Sequence, residues 1–467
     1  MDSKFDLVVI GAGPGGYTAA IKAADLGMNV AVIEKDNVGG TCLNRGCIPT
    51  KTLIHSTELL NELKNCENIG INVDRVTFDI KKIHERKDEV VGRLRLGIEG
   101  LFKSRGISLF RGTAKILSAN RIEIWQETEN IEINTDKILI ATGSKPIRPL
   151  IPGIDLKGVI TSDELLEMNE TLPKSLTIIG GGVIGVEFAT IYNALGCEVT
   201  IIEAMDRILP TMDKEISQNL TMILKKRGII INTSARVEKI VKEETLSIQY
   251  NHKEKDCTVN AQVVLVAIGR KANIDSLFAE NFSVEMQKNA IVVNNKFETS
   301  VKGIYAVGDV IAGGIQLAHA ASAQGINAVL MMNGKKPQFD LNMVPSCIYT
   351  SPEISSVGIT QEEAKGSEVN VKCGKFSTLS NGRSMISSQE RGFVKTVFDH
   401  DSKVLLGAQM MCANATDMIS EFTTAIINKL TYENLSAVIR PHPTYNENIS
   451  EAIENSFGVS IHTISKK

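Results

Sequence analysis

Two cysteines, Cys42 and Cys47, lie in the run GGTCLNRGCIPTK (residues 39–51), and paired thiols can carry electron pairs by themselves. On a regular α-helix, residues five apart have Cα atoms about 8.7 Å from each other. A disulfide needs less than about 7 Å. A bridge here therefore requires a distorted first turn, and Gly39, Gly40 and Gly46 supply the backbone freedom for one. Pro49 suits the early helix that follows. A helix N-terminus lowers a thiol's pKa, which makes a better nucleophile and leaving group. The plainer alternative is two unrelated buried cysteines. A zinc site lacks its other half, because no second CxxC or Cys/His pair accompanies this one.

Near the other end, PHPTYNE (residues 441–447) sets His442 five residues before Glu447. Thiol exchange needs a base that takes a proton and later returns it. Histidine titrates in the useful range, and a carboxylate on its other ring nitrogen fixes the tautomer and supports the imidazolium. Taken alone, a histidine beside prolines reads as a surface loop residue.

Such groups need elements to hold them, and the chain repeats one unit twice. Residues 5–10 (FDLVVI) run into GAGPGG, and the apolar strand 30–33 ends at Glu34. Residues 175–179 (SLTII) run into GGGVIG, and strand 199–202 ends at Glu203. The first glycine and the acid are 23 apart in both copies, Gly11 to Glu34 and Gly180 to Glu203. This is the βαβ dinucleotide unit. Gly11 and Gly180 permit the tight turn, Gly13 and Gly182 let backbone approach a pyrophosphate, and Gly16 and Gly185 let helix and strand pack closely. The phosphate would sit at the helix N-terminus. Glu203 can accept from ribose hydroxyls and would repel a 2′-phosphate, so NAD is expected over NADP. The alternative for either acid is a solvated strand-end carboxylate.

The proline-rich stretch 146–153 (PIRPLIPG) separates the units, and a second boundary falls near Arg270 to Asn273. After NGKKP (333–337), short strands near 392–398 and 404–410 join an amphipathic helix near 416–429, in which Ile419, Phe422, Ala425 and Ile426 keep helical spacing. Apolar residues make up 43% and charged residues 22% of 467, the balance of a soluble globular protein. A net charge of -3 gives no reason to expect nucleic acid. No apolar run approaches the roughly 20 residues of a membrane helix, and no signal peptide precedes the first strand, so a cytoplasmic protein is expected. Eight cysteines are too sparse for a secreted disulfide scaffold. Any disulfide here should be a working one.

GTCLNRGCIPTK resembles the active-site signature of the class I pyridine nucleotide-disulfide oxidoreductases, and the order of motifs matches from Gly11 to roughly Glu451. The resemblance implies an α/β protein: two Rossmann-like dinucleotide-binding domains plus a C-terminal α+β dimerisation domain. Its parts would be 1–148 (FAD-binding), 149–271 (NAD-binding), 272–340 (completing the FAD domain) and 341–467 (dimerisation). It makes Cys42 the thiol that attacks substrate and Cys47 the thiol beside the flavin. Lys51 would approach the flavin's reactive edge with Glu187 as ion-pair partner. ATGS, with Thr142, Gly143 and Ser144, and AVGD, ending in Asp309, resemble flavin motifs. Leu317, Ala318 and His319 match the stretch that meets the pyrimidine end of the flavin. Ala114 stands where a glycine often meets the adenosine part of FAD, and Thr41, Val237 and Gly269 complete the implied cofactor contacts. His442 and Glu447 match a catalytic pair that serves the partner subunit.

The activity implied is oxidation of protein-bound dihydrolipoamide with reduction of NAD, in a homodimer. Its partner would be the lipoyl-bearing acyltransferase of a 2-oxo acid dehydrogenase complex, or the H-type protein of a glycine cleavage complex. Glutathione and trypanothione reductases prefer NADP and show basic residues where this chain has Glu203 and Ala204. Mercuric reductase and high-molecular-weight thioredoxin reductase end in a further redox pair, where this chain ends HTISKK. A redox-inactive flavoprotein scaffold would not need Cys42, Cys47, His442 and Glu447. Arg45, Thr50, Tyr445 and Asn446 depart from the commonest family pattern, and Arg45 is expected either to shift the disulfide's potential or to favour an acidic partner surface. The remaining histidines, including His84 and His462, and the other cysteines read as surface or packing residues, and residues 81–90 as one solvated helix face.

Overall fold

The computed structural model describes residues 4–127, 129–389 and 391–464, so the last three residues of the terminal HTISKK lie outside it. The apolar run Lys4–Ile10 is buried from Leu7 onward and forms the middle of a parallel sheet. It pairs with Val30–Glu34 on one side and Asn130–Ile140 on the other, and Ser108–Arg111 extends the sheet beyond Val30–Glu34. Strands buried on both faces read as continuous Val/Ile/Leu runs, which is why alternation is missing here. Ile304–Ala306 returns across more than 160 residues of chain to pair in parallel with Asn130–Ile140. The helix Ala318–Met332 then packs on Pro14–Asp25, where Gly325 brings the two backbones together.

The second unit repeats the plan. Ser175–Ile179 lies between Glu198–Ile202 and Val263–Val266, with Ile230–Asn232 and Val159–Thr161 outermost, all parallel. Ser144–Pro146, which ends where the proline-rich stretch 146–153 begins, pairs antiparallel with Arg270–Ala272, at the second boundary read from sequence.

The last portion is a five-stranded antiparallel sheet, in the order Ser346–Ile348, Glu353–Gly358, Leu405–Cys412, Phe393–Asp399, Val371–Ser377. Helices Ala415–Ile427 and Glu447–Asn455 cover one face, and Ile419, Phe422, Ala425 and Ile426 are all buried. Met410 and Met411 are fully buried core residues. Among the described residues no helix is long and apolar enough to cross a membrane.

One expectation needs correcting. The helix Ile80–Ser104 does not turn residues 81–90 wholly to solvent: His84 and Lys87 are buried, and Lys87 Nζ donates to the Leu166 carbonyl at 2.7 Å. The charge pattern hid this, because a lysine whose ammonium finds a carbonyl and a neighbouring carboxylate, Asp88, can be buried.

Candidate active site

Both glycine turns are built alike. Gly11 and Gly180 hold φ of +99° and +110°, where a Cβ would also meet the carbonyl oxygens of Ala141 and Ala267 at 2.5 and 2.4 Å. A Cβ on Gly16 would lie 1.9 Å from the Gly11 oxygen, and one on Gly185 would lie 2.1 Å from the Gly180 oxygen. Neither strand-end acid is solvated. Glu34 accepts from the amides of Ala12 (2.8 Å) and Asp36 (2.9 Å). Glu203 accepts from those of Gly181 (2.5 Å) and Met205 (2.7 Å). Each carboxylate therefore ties its own glycine turn to the end of the next strand, and each still has lone pairs facing the cleft.

That cleft is one continuous cavity of about 1770 Å³. Gly11, Gly13, Glu34, Ala114, Thr142, Gly143, Asp309, Leu317, Ala318 and His319 line its first arm, and Gly180, Gly182, Glu203, Val237 and Gly269 line its second. Thr41, Cys42, Cys47, Lys51, Ser144 and Glu187 lie on the wall between. Gly16 and Gly185 are not on the wall, as helix–strand packing positions should not be. Thr142 lines this arm, and its buried hydroxyl has no hydrogen-bond partner among the described residues. With the Gly11 crease and the Glu34 carboxylate, this arm fits an adenine dinucleotide with a polar chain. The second arm, with its own crease and acid, fits another.

The thiols meet because the helix breaks between them. Gly40–Arg45 is one short helix and Cys47–Asn65 the next, and Gly46 stands between them at φ -147° and ψ -113°. A Cβ there would lie 2.9 Å from the Thr41 carbonyl oxygen. Both cysteines are free thiols, and Cys42 hydrogen-bonds to Cys47. That bond and burial push the Cys42 thiol well above its ordinary range. The same bond pulls Cys47 down to about 7 against its own burial, and the Lys51 charge assists. Cys47 is also the first residue of its helix, where the dipole favours a thiolate.

Lys51 lies one turn further along, its Nζ bonded to both oxygens of Glu187 at 2.9 and 2.8 Å. Glu187 is buried on the helix Val183–Ala194 of the second unit and also accepts from the Tyr349 amide at 3.0 Å. The Tyr349 ring lies 4.7 Å from the ammonium. This pair therefore joins the redox helix, the second unit and the last sheet.

Sequence reasoning missed Arg270. Its guanidinium donates to the Ser144 hydroxyl and carbonyl, both at 2.8 Å, reaches Thr41 at 3.5 Å and faces Asp163 at 3.7 Å, while Ser144 donates to Asp309 at 2.6 Å. A charged residue just past a parallel strand in a doubly wound sheet is the signal that could have found it. Tyr349 had no such local signal. Arg45 lines the cavity with the thiols and pairs with Asp36, with Glu167 at 3.9 Å, so its charge is compensated within the chain.

His442 Nδ1 lies 2.8 Å from Glu447, whose other oxygen accepts from the Thr444 amide at 2.9 Å. The pair is assembled, but it does not line its own chain's cavity, and the His442 side chain is 78% exposed. His462 does not stand alone as its sequence context implies: its Nδ1 meets Glu451 at 2.6 Å.

A thiol pair on the wall of a cavity that two glycine-turn units also line fits a dinucleotide-dependent dithiol–disulfide oxidoreductase. Residues 5–325 match the family described as pyridine nucleotide-disulphide oxidoreductase, and residues 344–453 match that family's dimerisation domain. The chain belongs to this family, an enzyme family that uses FAD and NAD. It is 41% identical to a dihydrolipoyl dehydrogenase of Bacillus subtilis (strain 168), covering 99% of this chain and 100% of the relative. It is 40% identical to a dihydrolipoyl dehydrogenase of Chlamydia pneumoniae over 96% of both. Among solved structures, the copper(II) complex of the HOCl-induced flavoprotein disulfide reductase RclA from Escherichia coli is similar, with a TM-score of 0.87, 31% identity and coverage of 97% and 99%.

Proposed function

We propose that this chain oxidises protein-bound dihydrolipoamide to lipoamide and reduces NAD, through the Cys42–Cys47 pair. The observation that carries this reading is the thiol pair at a helix break, beside the Lys51–Glu187 ion pair, where the two dinucleotide arms meet. The names of the relatives support the substrate.

In this reading a dihydrolipoamide thiolate attacks Cys42 of the oxidised pair and expels Cys47. The second substrate thiolate then attacks the mixed disulfide, which releases lipoamide and Cys42. Cys47 leaves readily because its thiolate is stable near neutral pH. Bound FAD supplies the two-electron carrier between this dithiol and the nicotinamide. Glu34, Ala114, Thr142, Gly143, Ser144, Asp309 and the 317–319 turn would hold it, and Lys51 would set a cation against its reactive edge. Gly180, Gly182, Glu203, Val237 and Gly269 would hold NAD. His442, oriented by Glu447, would take the substrate thiol proton in the partner's cleft; its exposure and its place off its own cavity support that assignment.

The working assembly is then a homodimer, a reading the dimerisation-domain match supports. Its partner is a lipoyl-bearing acyltransferase of a 2-oxo acid dehydrogenase complex or the H-type protein of glycine cleavage. Eight cysteines in 467 residues are too sparse for a secreted disulfide scaffold, which supports a reducing cytoplasm. The test is NADH oxidation by the purified yellow protein, offered lipoamide, oxidised glutathione and mercuric ion separately. Turnover with lipoamide is expected. Turnover with glutathione but not lipoamide would overturn the substrate.

A further inference from the structure

The helix Glu447–Asn455 carries two histidine–carboxylate pairs, not one. Glu447 and Glu451 are four residues apart and so share a helix face. Glu447 holds His442. Glu451, 9% exposed, is enclosed by the end of the chain: it accepts from the Ser460 hydroxyl at 2.6 Å, the His462 amide at 3.2 Å and His462 Nδ1 at 2.6 Å. Ser460 also bonds Thr463 at 2.9 Å, which closes the segment on itself. The activity assigned above makes no use of this second pair.

Two carboxylates one turn apart repel, and their joint field favours a proton on any base beside them. A base that must release its proton near neutrality is better served by one carboxylate than by two. We infer that His462 is a positioning residue for the His442–Glu447 pair: it neutralises Glu451 and pins the chain end to the helix, so that Glu447 alone acts on the His442 ring.

The charges in this corner agree. Burial by itself raises the Glu451 carboxyl, but the bonds from Ser460 and His462 hold it below its usual range. The bond to Glu451 pushes the His462 imidazole up, and Glu447 and Glu454 add to this. Glu447 is also held low against its own burial, by the Thr444 amide, by His442 and by the His462 charge, so the second histidine is felt at the first pair. Glu454, on the next turn, is raised by burial and by Glu451, while Arg440 and His462 oppose. Arg440 is itself engaged by Glu421 and by Ser450 at 2.9 Å. Among the described residues, His462 is the cation paired with Glu451.

The inference rests on His442 being the base, so the experiment separates the two. The pH dependence of kcat/KM for dihydrolipoamide is measured on the flavin-loaded dimer of wild type, His462→Gln, His462→Lys and the double variant Glu451→Gln/His462→Gln. Glutamine keeps a hydrogen bond and drops the charge. The acid limb should move up by about half a pH unit at low salt, and most of that shift should vanish at about 1 M salt. Lysine and the double variant should return the limb to the wild-type position. A limb that stays put in His462→Gln at low salt, or a shift indifferent to salt, overturns the inference. Should His462→Gln not yield a dimer, Glu451→Gln alone must move the limb down, and no movement there has the same force. In parallel, His442→Gln at wild-type rates would overturn the base assignment. Loss of turnover in His442→Gln with an unmoved His462→Gln limb would overturn only the role of His462.

Discussion

The asymmetry between the two thiols makes the sharpest prediction. An ordinary thiol at 9.0 is about 1% ionised at pH 7, and one at about 7 is half ionised, so Cys47 should hold about fifty times more thiolate than a free cysteine. The sign follows from the direction of the shift: a lowered acid is ionised above about 7 and protonated below, so the thiolate disappears as pH falls through neutrality. The largest cause is the hydrogen bond from Cys42, with the Lys51 charge behind it. Cys42→Ala removes that donor and should raise the Cys47 midpoint by about one unit or more, while Cys42→Ser, which keeps an O–H, should fall between. The assay is the ultraviolet thiolate absorbance of the reduced protein against pH, with the ionised residue located by alkylation and mass spectrometry. If Cys42→Ala still titrates near 7, the hydrogen bond is not the source. If Cys47→Ala retains a thiolate at pH 7, the two roles are reversed.

Gly185→Ala should abolish NADH binding while leaving the protein yellow, because the new Cβ would meet the Gly180 oxygen at 2.1 Å in the second unit only; equilibrium dialysis and the visible spectrum check both halves. Glu187→Met strands the Lys51 ammonium and the Tyr349 amide. Removing one partner of a buried pair costs about 3–5 kcal/mol, and the lower end applies because the Lys51 side chain is 29% exposed. Urea unfolding should show that loss, and Lys51→Met/Glu187→Met should recover most of it.

Much of this was legible because it is periodic or chemical. The equal spacing of Gly11–Glu34 and Gly180–Glu203 announced both parallel units, and Gly39, Gly40 and Gly46 announced a distorted turn at the cysteines, which the structure makes as a helix break at Gly46. What sequence could not show depends on contacts far apart along the chain. Both strand-end acids bond backbone amides of their own glycine turns, so each is a structural tie as well as a ribose-facing group. The strand pair of Ser144–Pro146 with Arg270–Ala272, and the Arg270 bonds to Ser144 and Thr41, need a pairing across more than 120 residues. Lys87 was misread because a charged side chain looks solvated in sequence until the carbonyl that receives it, here that of Leu166, is in place. His462 is exposed, as a surface residue should be, and only its Glu451 partner was hidden.

The central claim is that the cleft stores electrons in two places, a flavin and the Cys42–Cys47 pair. Anaerobic titration of the flavin-loaded protein with dithionite, counting electron pairs and newly exposed thiols, tests it directly. Wild type should take up two pairs and gain thiols at Cys42 and Cys47, and Cys47→Ser should take up one. Uptake of a single pair by the wild type, with both thiols unchanged, would contradict the account.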